Sequence, residues 1–248
     1  MVIDFEGIQN ARDLGGINAA DGRTVKPGLL FRTGELERAT DADIAYLRAA
    51  DLRHIVDFRD PAEIAARPDR PVPGAEHHAL KTLPALPVSP NPPKGAAPPL
   101  PADPEKIFPG LYAQLGSCAE AKAAYREFFR ILLKGDGAVL WHCRQGKDRT
   151  GVAAMLLLAT LSVSPADAKA DYLETNACMK AQYEGAVGKY HDPEQQRMLR
   201  GVLFVRIDWL QLCLSRMKSE YGSLSGYLHR ALGLTDADLD RLRVLYTQ

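Results

Sequence analysis

Neither sign of charge dominates this chain, with 31 Lys and Arg set against 31 Asp and Glu in 248 residues. Proteins that bind nucleic acid or membranes through bulk charge carry a basic excess, so no nucleic acid or membrane partner is expected on that ground, although a local basic pocket stays open. Long hydrophobic runs are also missing. The longest apolar stretch, Val152 to Val163, is interrupted by Thr160 and Ser162. It is too short to span a bilayer, so no transmembrane segment is expected. Met1 to Asn10 contains acidic residues and no apolar export segment, so the expectation is a cytoplasmic protein, with unconventional secretion left open. Cysteine is scarce. Cys118, Cys143, Cys178 and Cys213 show no C-x-x-C spacing, which argues against zinc and thioredoxin-type sites and for free thiols in a reducing compartment. His54, His77, His78, His191 and His229 show no ligand spacing either, so no metal and no cofactor are expected.

The remaining composition, 46% hydrophobic and 25% charged, suits a single globular domain over residues 1–248. The first half alternates strand and helix signals. Leu29–Phe31 reads as a short strand. Thr40 and Asp43 cap a helix running to about Ala50. Arg53–Phe58 reads as a buried strand, and Glu76–Leu80 as a possible further one. Ten prolines then crowd residues 84–109, which predicts an irregular or polyproline-like surface insertion rather than a lid. Order resumes with a capping-box pair, Ser117 and Glu120, and a helix to about Lys134. Gly135-Asp136-Gly137 turns into the apolar strand Ala138–His142. A buried helix follows over Arg149–Leu161, because nearly every face is apolar. Ser164-Pro165 and Asp192-Pro193 start two more helices, the second long and running to about Glu220 before Gly222. Two short helices end the chain, the last opened by Thr235 and Asp238. The expected fold class is α/β, a central and mostly parallel sheet flanked by helices, with a helical C-terminal half.

One segment carries chemistry: His142-Cys143-Arg144-Gln145-Gly146-Lys147-Asp148-Arg149-Thr150-Gly151. Its setting is strand, tight loop, buried helix. Such a loop turns several backbone N–H groups toward one point at the positive end of a helix dipole. Arg149, six residues after Cys143, can curl back with a planar fork that fits phosphate bidentately. The same field favours the thiolate, which in such settings titrates at roughly 3.5–7.5 instead of about 8.5. A thiolate under a bound phosphoryl group is an activated nucleophile. Rival loops fail. Trp141 stands where Walker A needs glycine, and Asp148 where it needs Ser or Thr. Gly135 and Gly137 precede the strand instead of following it, so no dinucleotide loop is present, and H-E-x-x-H is absent.

The pattern His-Cys-x-x-Gly-Lys-Asp-Arg-Thr-Gly resembles the signature of the cysteine-dependent protein tyrosine phosphatases, in particular a bacterial branch with mycobacterial and Listeria members. Asn10–Gly16, Pro27–Arg32, Asp57–Arg59, Ala170–Asn176 and Tyr221–Leu224 are similar to that branch as well, so the resemblance covers most of the chain. It implies that Cys143 is the nucleophile of a phosphocysteine mechanism and that Arg149 binds the phosphate and the transition state. Asp148 would act as general acid and then base, Thr150 would assist departure of the thiolate, and His142 would order the loop. Residues 143–149 as a whole would bind the phosphate, with Arg144 and Lys147 flanking the anion. The implied partners are phosphotyrosine proteins, with phosphoserine/threonine or phosphoinositides as additions and inorganic phosphate as product. An aspartate that some relatives carry after the fourth strand has no counterpart in Leu80–Pro84. Asp57 and Arg59 sit where a strand meets its loop and read as a structural ion pair, with Asn10, Arg12 and Asp13 as network residues under the site. Two rivals remain, a phospho-ligand-binding pseudophosphatase and a rhodanese-like sulfurtransferase. The joint presence of Cys143, Arg149 and Thr150 argues against both.

Overall fold

The computed structural model describes residues 1–84 and 103–248. A five-stranded sheet runs in the order β1-β2-β5-β3-β4, built from β1 (Arg12–Asp13), β2 (Leu30–Thr33), β3 (Leu52–Asp57), β4 (Glu76–Ala79) and β5 (Ala138–His142). Only β1 is antiparallel to its neighbour. The last strand in sequence is therefore the central one, inserted between β2 and β3. In parallel α/β sheets the C-terminal edge at such a switch is where ligands bind. Successive β5 side chains enter opposite cores. Val139 and Trp141 join the larger apolar cluster, and Ala138 and Leu140 join the smaller one under α1 (Asp41–Ala49). The alternation explains why a continuous apolar run is needed: both faces are covered.

α5 (Asp148–Thr160) fills the larger core, buried at every residue from Thr150 to Leu158. The helical half otherwise comprises α6 (Pro165–Cys178), α7 (Lys180–Val187), α8 (Pro193–Leu203), α9 (Ile207–Tyr221), α10 (Leu224–Arg230) and α11 (Asp236–Tyr246). The long helix expected from Asp192 to Glu220 is two helices. Asn176 clamps Val205 between them, its Oδ1 accepting from Val205 N–H at 2.8 Å and its Nδ2 donating to Val205 O at 3.0 Å. That pairing holds the chain extended where helical bonds would otherwise continue.

The proline-rich expectation is corrected at its end. α3 (Pro104–Ser117) starts inside the stretch and contains Pro109, while residues 85–102 lie outside the described residues. Pro104 is the first helical residue after an Asp103 cap, a position where a missing N–H costs nothing. Asp60-Pro61, opening α2 (Pro61–Ala66), Ser164-Pro165 and Asp192-Pro193 repeat that start. The next helix, α4 (Ala119–Leu132), is capped by the Cys118 sulfur instead of by Ser117, whose hydroxyl donates back to Ala113 O. Among the described residues no helix is long and apolar enough to cross a membrane.

Candidate active site

Cys143 follows the end of β5, and α5 opens five residues later. Gly146 makes the turn at φ +67°, and a Cβ there would meet Thr33 O at 2.2 Å. Only glycine fits this backbone. Five consecutive carbonyls are tied away from the loop's concave side. Cys143 O lies 3.1 Å from His142 Nδ1, and Arg144 O accepts from Glu35 N–H at 3.1 Å. Gln145 O accepts from Asn10 Nδ2 at 2.9 Å, and Gly146 O accepts from Asn10 at 3.0 Å and from Arg32 at 2.9 Å. Lys147 O accepts from Gly151 N–H at 2.8 Å. With the carbonyls committed, the loop's amides remain available to an anion at the positive end of α5.

Two buried charge networks hold this shape. In one, Asp171 of α6 bridges Arg12 (3.1 Å) and Arg32 (2.5 Å), and Arg12 donates to Asn10 Oδ1 at 2.5 Å. Burial and the neighbouring Arg12 bring Arg32 down to about 10, partly restored by Asp171. In the other, Arg59 contacts Asp57 at 2.7 Å, Asp69 at 2.9 Å and Glu35 at 3.1 Å. His142 Nε2 lies 3.0 Å from Asp69. Burial opposes a charge on His142, but Asp57 and Asp69 prevail and raise its pKa. Both aspartates sit well below the usual carboxylate range, because His142, His77 and Arg59 outweigh their desolvation.

Cys143 is 3% exposed. Burial alone would push its thiol up. The Arg149 guanidinium, the Thr150 hydroxyl and the Thr150 backbone N–H more than offset that and Asp148's opposing charge, so the thiol is lowered. Thr150 Oγ1 is buried with no hydrogen-bonded nitrogen or oxygen among the described residues, which leaves it for the sulfur. Arg149 is gripped by Glu63 of α2 at 2.5 and 2.9 Å. Glu63 also closes the α2 capping box by accepting from Asp60 N–H at 2.9 Å. Asp148 accepts from the Tyr112 hydroxyl of α3 at 2.6 Å, and Tyr112 in turn lies 2.6 Å from the Tyr172 hydroxyl. Burial first, and the adjacent Asp148 next, keep Tyr112 protonated.

A lowered thiol, a loop with its carbonyls tied back, a guanidinium and a carboxylate thus lie together at the junction of β5 and α5. Residues 3–248 match the tyrosine phosphatase family. The chain belongs to that family. A Cupriavidus necator protein, provisionally named a tyrosine-protein phosphatase, is 33% identical over 257 residues, covering 98% of this chain and 87% of its own. The triple specificity protein phosphatase PtpB of Mycobacterium tuberculosis is 29% identical, covering 98% of both chains. A tyrosine-protein phosphatase of Nostoc commune is 26% identical, covering 86% of this chain and 72% of its own.

Within this phosphatase, Cys143, Asp148, Arg149 and Thr150 come together as anticipated, and Arg144 is exposed at the rim. It borders a 260 Å³ cleft shared with Arg38, Arg67, Glu35 and Gln182. Lys147 departs from expectation. Its ammonium donates to Val202 O and to Leu203 O (3.1 Å) and sits over the Phe108 ring at 5.1 Å. The carbonyls at the C-terminal end of α8 hold the charge, with Asp148 Oδ2 3.7 Å from the ammonium. Asp148 is the first residue of α5, with Oδ1 accepting from Tyr112 and Oδ2 3.7 Å from the Lys147 ammonium. Asp57 and Arg59 are the expected ion pair, enlarged by Glu35, Asp69 and His77. Of the other thiols, Cys213 is buried, while Cys118 and Cys178 are only partly covered. Sequence reading missed Glu63, Tyr112 and Asp69. The Asp60-Pro61-x-Glu63 capping box was a visible signal for a helix there, but nothing local linked it to Arg149.

Proposed function

We propose that this chain hydrolyses phosphate monoesters, phosphotyrosine foremost, through a phosphocysteine on Cys143. Substrate phosphate enters the amide ring, and Arg149 turns part of its fork from Glu63 to the anion. The Cys143 thiolate attacks phosphorus, and the bond to the leaving oxygen breaks. Asp148 gives that oxygen its proton, then takes one from the water that attacks the phosphocysteine. Thr150 stabilises the departing thiolate, and His142 steadies the loop from below. The observation that carries the reading is the run of five tied-back carbonyls, which leaves a preorganised set of amides facing a lowered thiol.

We place the chain in the H-C-x-x-G-K-D-R-T-G branch on its loop residues, with residues 1–248 acting as one domain. The family match across nearly all of the chain supports both. The chemistry takes no metal at the reacting centre. Four free cysteines accord with work in a reducing cytoplasm. Phosphoinositides and phosphoserine/threonine are the further substrates to test, since Arg38, Arg67 and Arg144 surround the neighbouring cleft and PtpB is named for triple specificity. A panel of phosphotyrosine peptide, phosphoserine peptide and phosphoinositides, run with wild type and Cys143→Ser, tests this. Phosphotyrosine turnover abolished by Cys143→Ser, with binding retained, is expected. Normal turnover by that variant would overturn the assignment.

A further inference from the structure

The second face of β4 carries chemistry that the phosphatase reaction does not use. His54 opposes Glu76 in the β3–β4 register, and His78 follows two residues after Glu76 on the same face. His54 Nδ1 lies 3.0 Å from His78 Nε2 and 3.6 Å from Glu76 Oε2, and His78 Nε2 lies 3.5 Å from that same oxygen. Three donor atoms thus form a triangle whose centre is ~2 Å from each, the bond length zinc makes with imidazole and carboxylate. We propose that His54, His78 and Glu76 bind one divalent cation of the zinc class, with a solvent-facing fourth position for water.

Two further observations support this site. Asp136, in the turn before β5, lies 2.9 Å from His54 Nε2. A carboxylate accepting the far N–H of an imidazole aims the other nitrogen's lone pair at a metal. Glu76 is exposed, which gives the ion a way in. Two imidazoles select zinc-class ions over magnesium and calcium. The cluster of Asp57, Asp69, His77 and His142 also has two imidazoles, but there the Arg59 guanidinium already occupies both carboxylates. Lys134 opposes the new site, with Nζ 3.5 Å from Glu76 Oε2. It is half exposed and must swing away. The cation would staple the edge strand β4 to β3, about 10 Å along β3 from Asp57, clear of Cys143.

The test uses the full chain carrying Cys143→Ser, so that the reactive thiolate cannot compete, and measures Zn²⁺ by competition with a chromophoric chelator. One ion per chain is expected. His78→Ala and Glu76→Gln weaken binding at least tenfold, and Lys134→Gln tightens it severalfold. Zn²⁺ at a hundred times its Kd shifts the unfolding equilibrium about a hundredfold toward the folded state in the parent and not in His78→Ala. Co²⁺ bound there gives visible bands without thiolate charge transfer. Undiminished affinity in His78→Ala and Glu76→Gln, or thiolate charge transfer that persists in both, would overturn the site. If His78→Ala does not fold, an unchanged affinity in Lys134→Gln does so. None of these readouts depends on phosphatase activity.

Discussion

The phosphate loop is held differently on its two sides. Toward the sheet it is fastened through its backbone, by Asn10, Arg32 and Glu35 on its carbonyls, with Arg59, Asp57, Asp69 and His142 packed beneath. Toward the helical half it is fastened through its side chains, by Tyr112 on Asp148 and by the end of α8 on Lys147. The sheet side consists of buried, mutually compensated charges, with Arg32 and Arg59 both fully buried. Its business is shape. The helix side touches Asp148, the proposed acid, so on that proposal its business is reactivity. Substitutions on the two sides should therefore separate stability from rate.

The largest effect expected is on the reactive side. Asp148→Asn keeps an acceptor for Tyr112 but removes the proposed acid. Turnover of an alkyl phosphate should fall about 10²–10⁴-fold, with a much smaller loss for p-nitrophenyl phosphate, whose leaving group needs no proton. The urea midpoint should barely move. Equal losses on both substrates would remove Asp148 from the acid role. On the shape side, Arg59→Met leaves Asp57 and Asp69 buried without their cation, at a cost of about 3–5 kcal/mol. Urea unfolding measures it, and a variant as stable as the parent would end the distinction between the two sides.

The same division decides what could be read from sequence. Strand β5, the loop and α5 were legible because an apolar run, a polar decad and a second apolar run are contiguous. The Thr40–Asp43 and Thr235–Asp238 capping boxes were legible for the same local reason. What failed was long-range. Asn176 reaches 29 residues to break the helix at Val205. Tyr112 reaches Asp148 across 36 residues from a helix whose prolines disguised it. Glu63 reaches Arg149 across 86, and His54 meets His78 only through a parallel register. Lys147 places its ammonium on carbonyls 55 and 56 residues away, which no local pattern signals.

Tyr112→Phe sharpens the reactive side more gently. It deletes a charge-assisted hydrogen bond, a contribution of about 1.5–3 kcal/mol at most, while keeping the ring packed at a tilt against Phe108 and Trp209. The expected result is a severalfold fall in the ratio of alkyl to aryl phosphate turnover, because the carboxyl loses the hydroxyl that orients it. A uniform loss on both substrates would mean that Tyr112 acts on the fold instead.

The smallest effect belongs to the rim of the shape network. His77 faces Asp57 and Asp69, and hydrogen bonds to those two carboxylates raise its pKa to about 9 against its partial burial. A group raised on folding stabilises the native state fully below its unfolded value near 6.5, and that contribution drains away as pH climbs through about 9. His77 is 38% exposed on its side chain, so solvent screening holds the contribution below about 1 kcal/mol. The difference in urea stability between wild type and His77→Gln should therefore favour wild type at pH 6, shrink between pH 7 and 9, and vanish at pH 10. Depressed Asp57 and Asp69 act in the opposite sense, holding stability above pH 4 and surrendering it in acid. A His77→Gln difference that grows with alkalinity would show that the imidazole is neutral in the folded protein, and that Arg59 and His142 satisfy the two buried carboxylates alone.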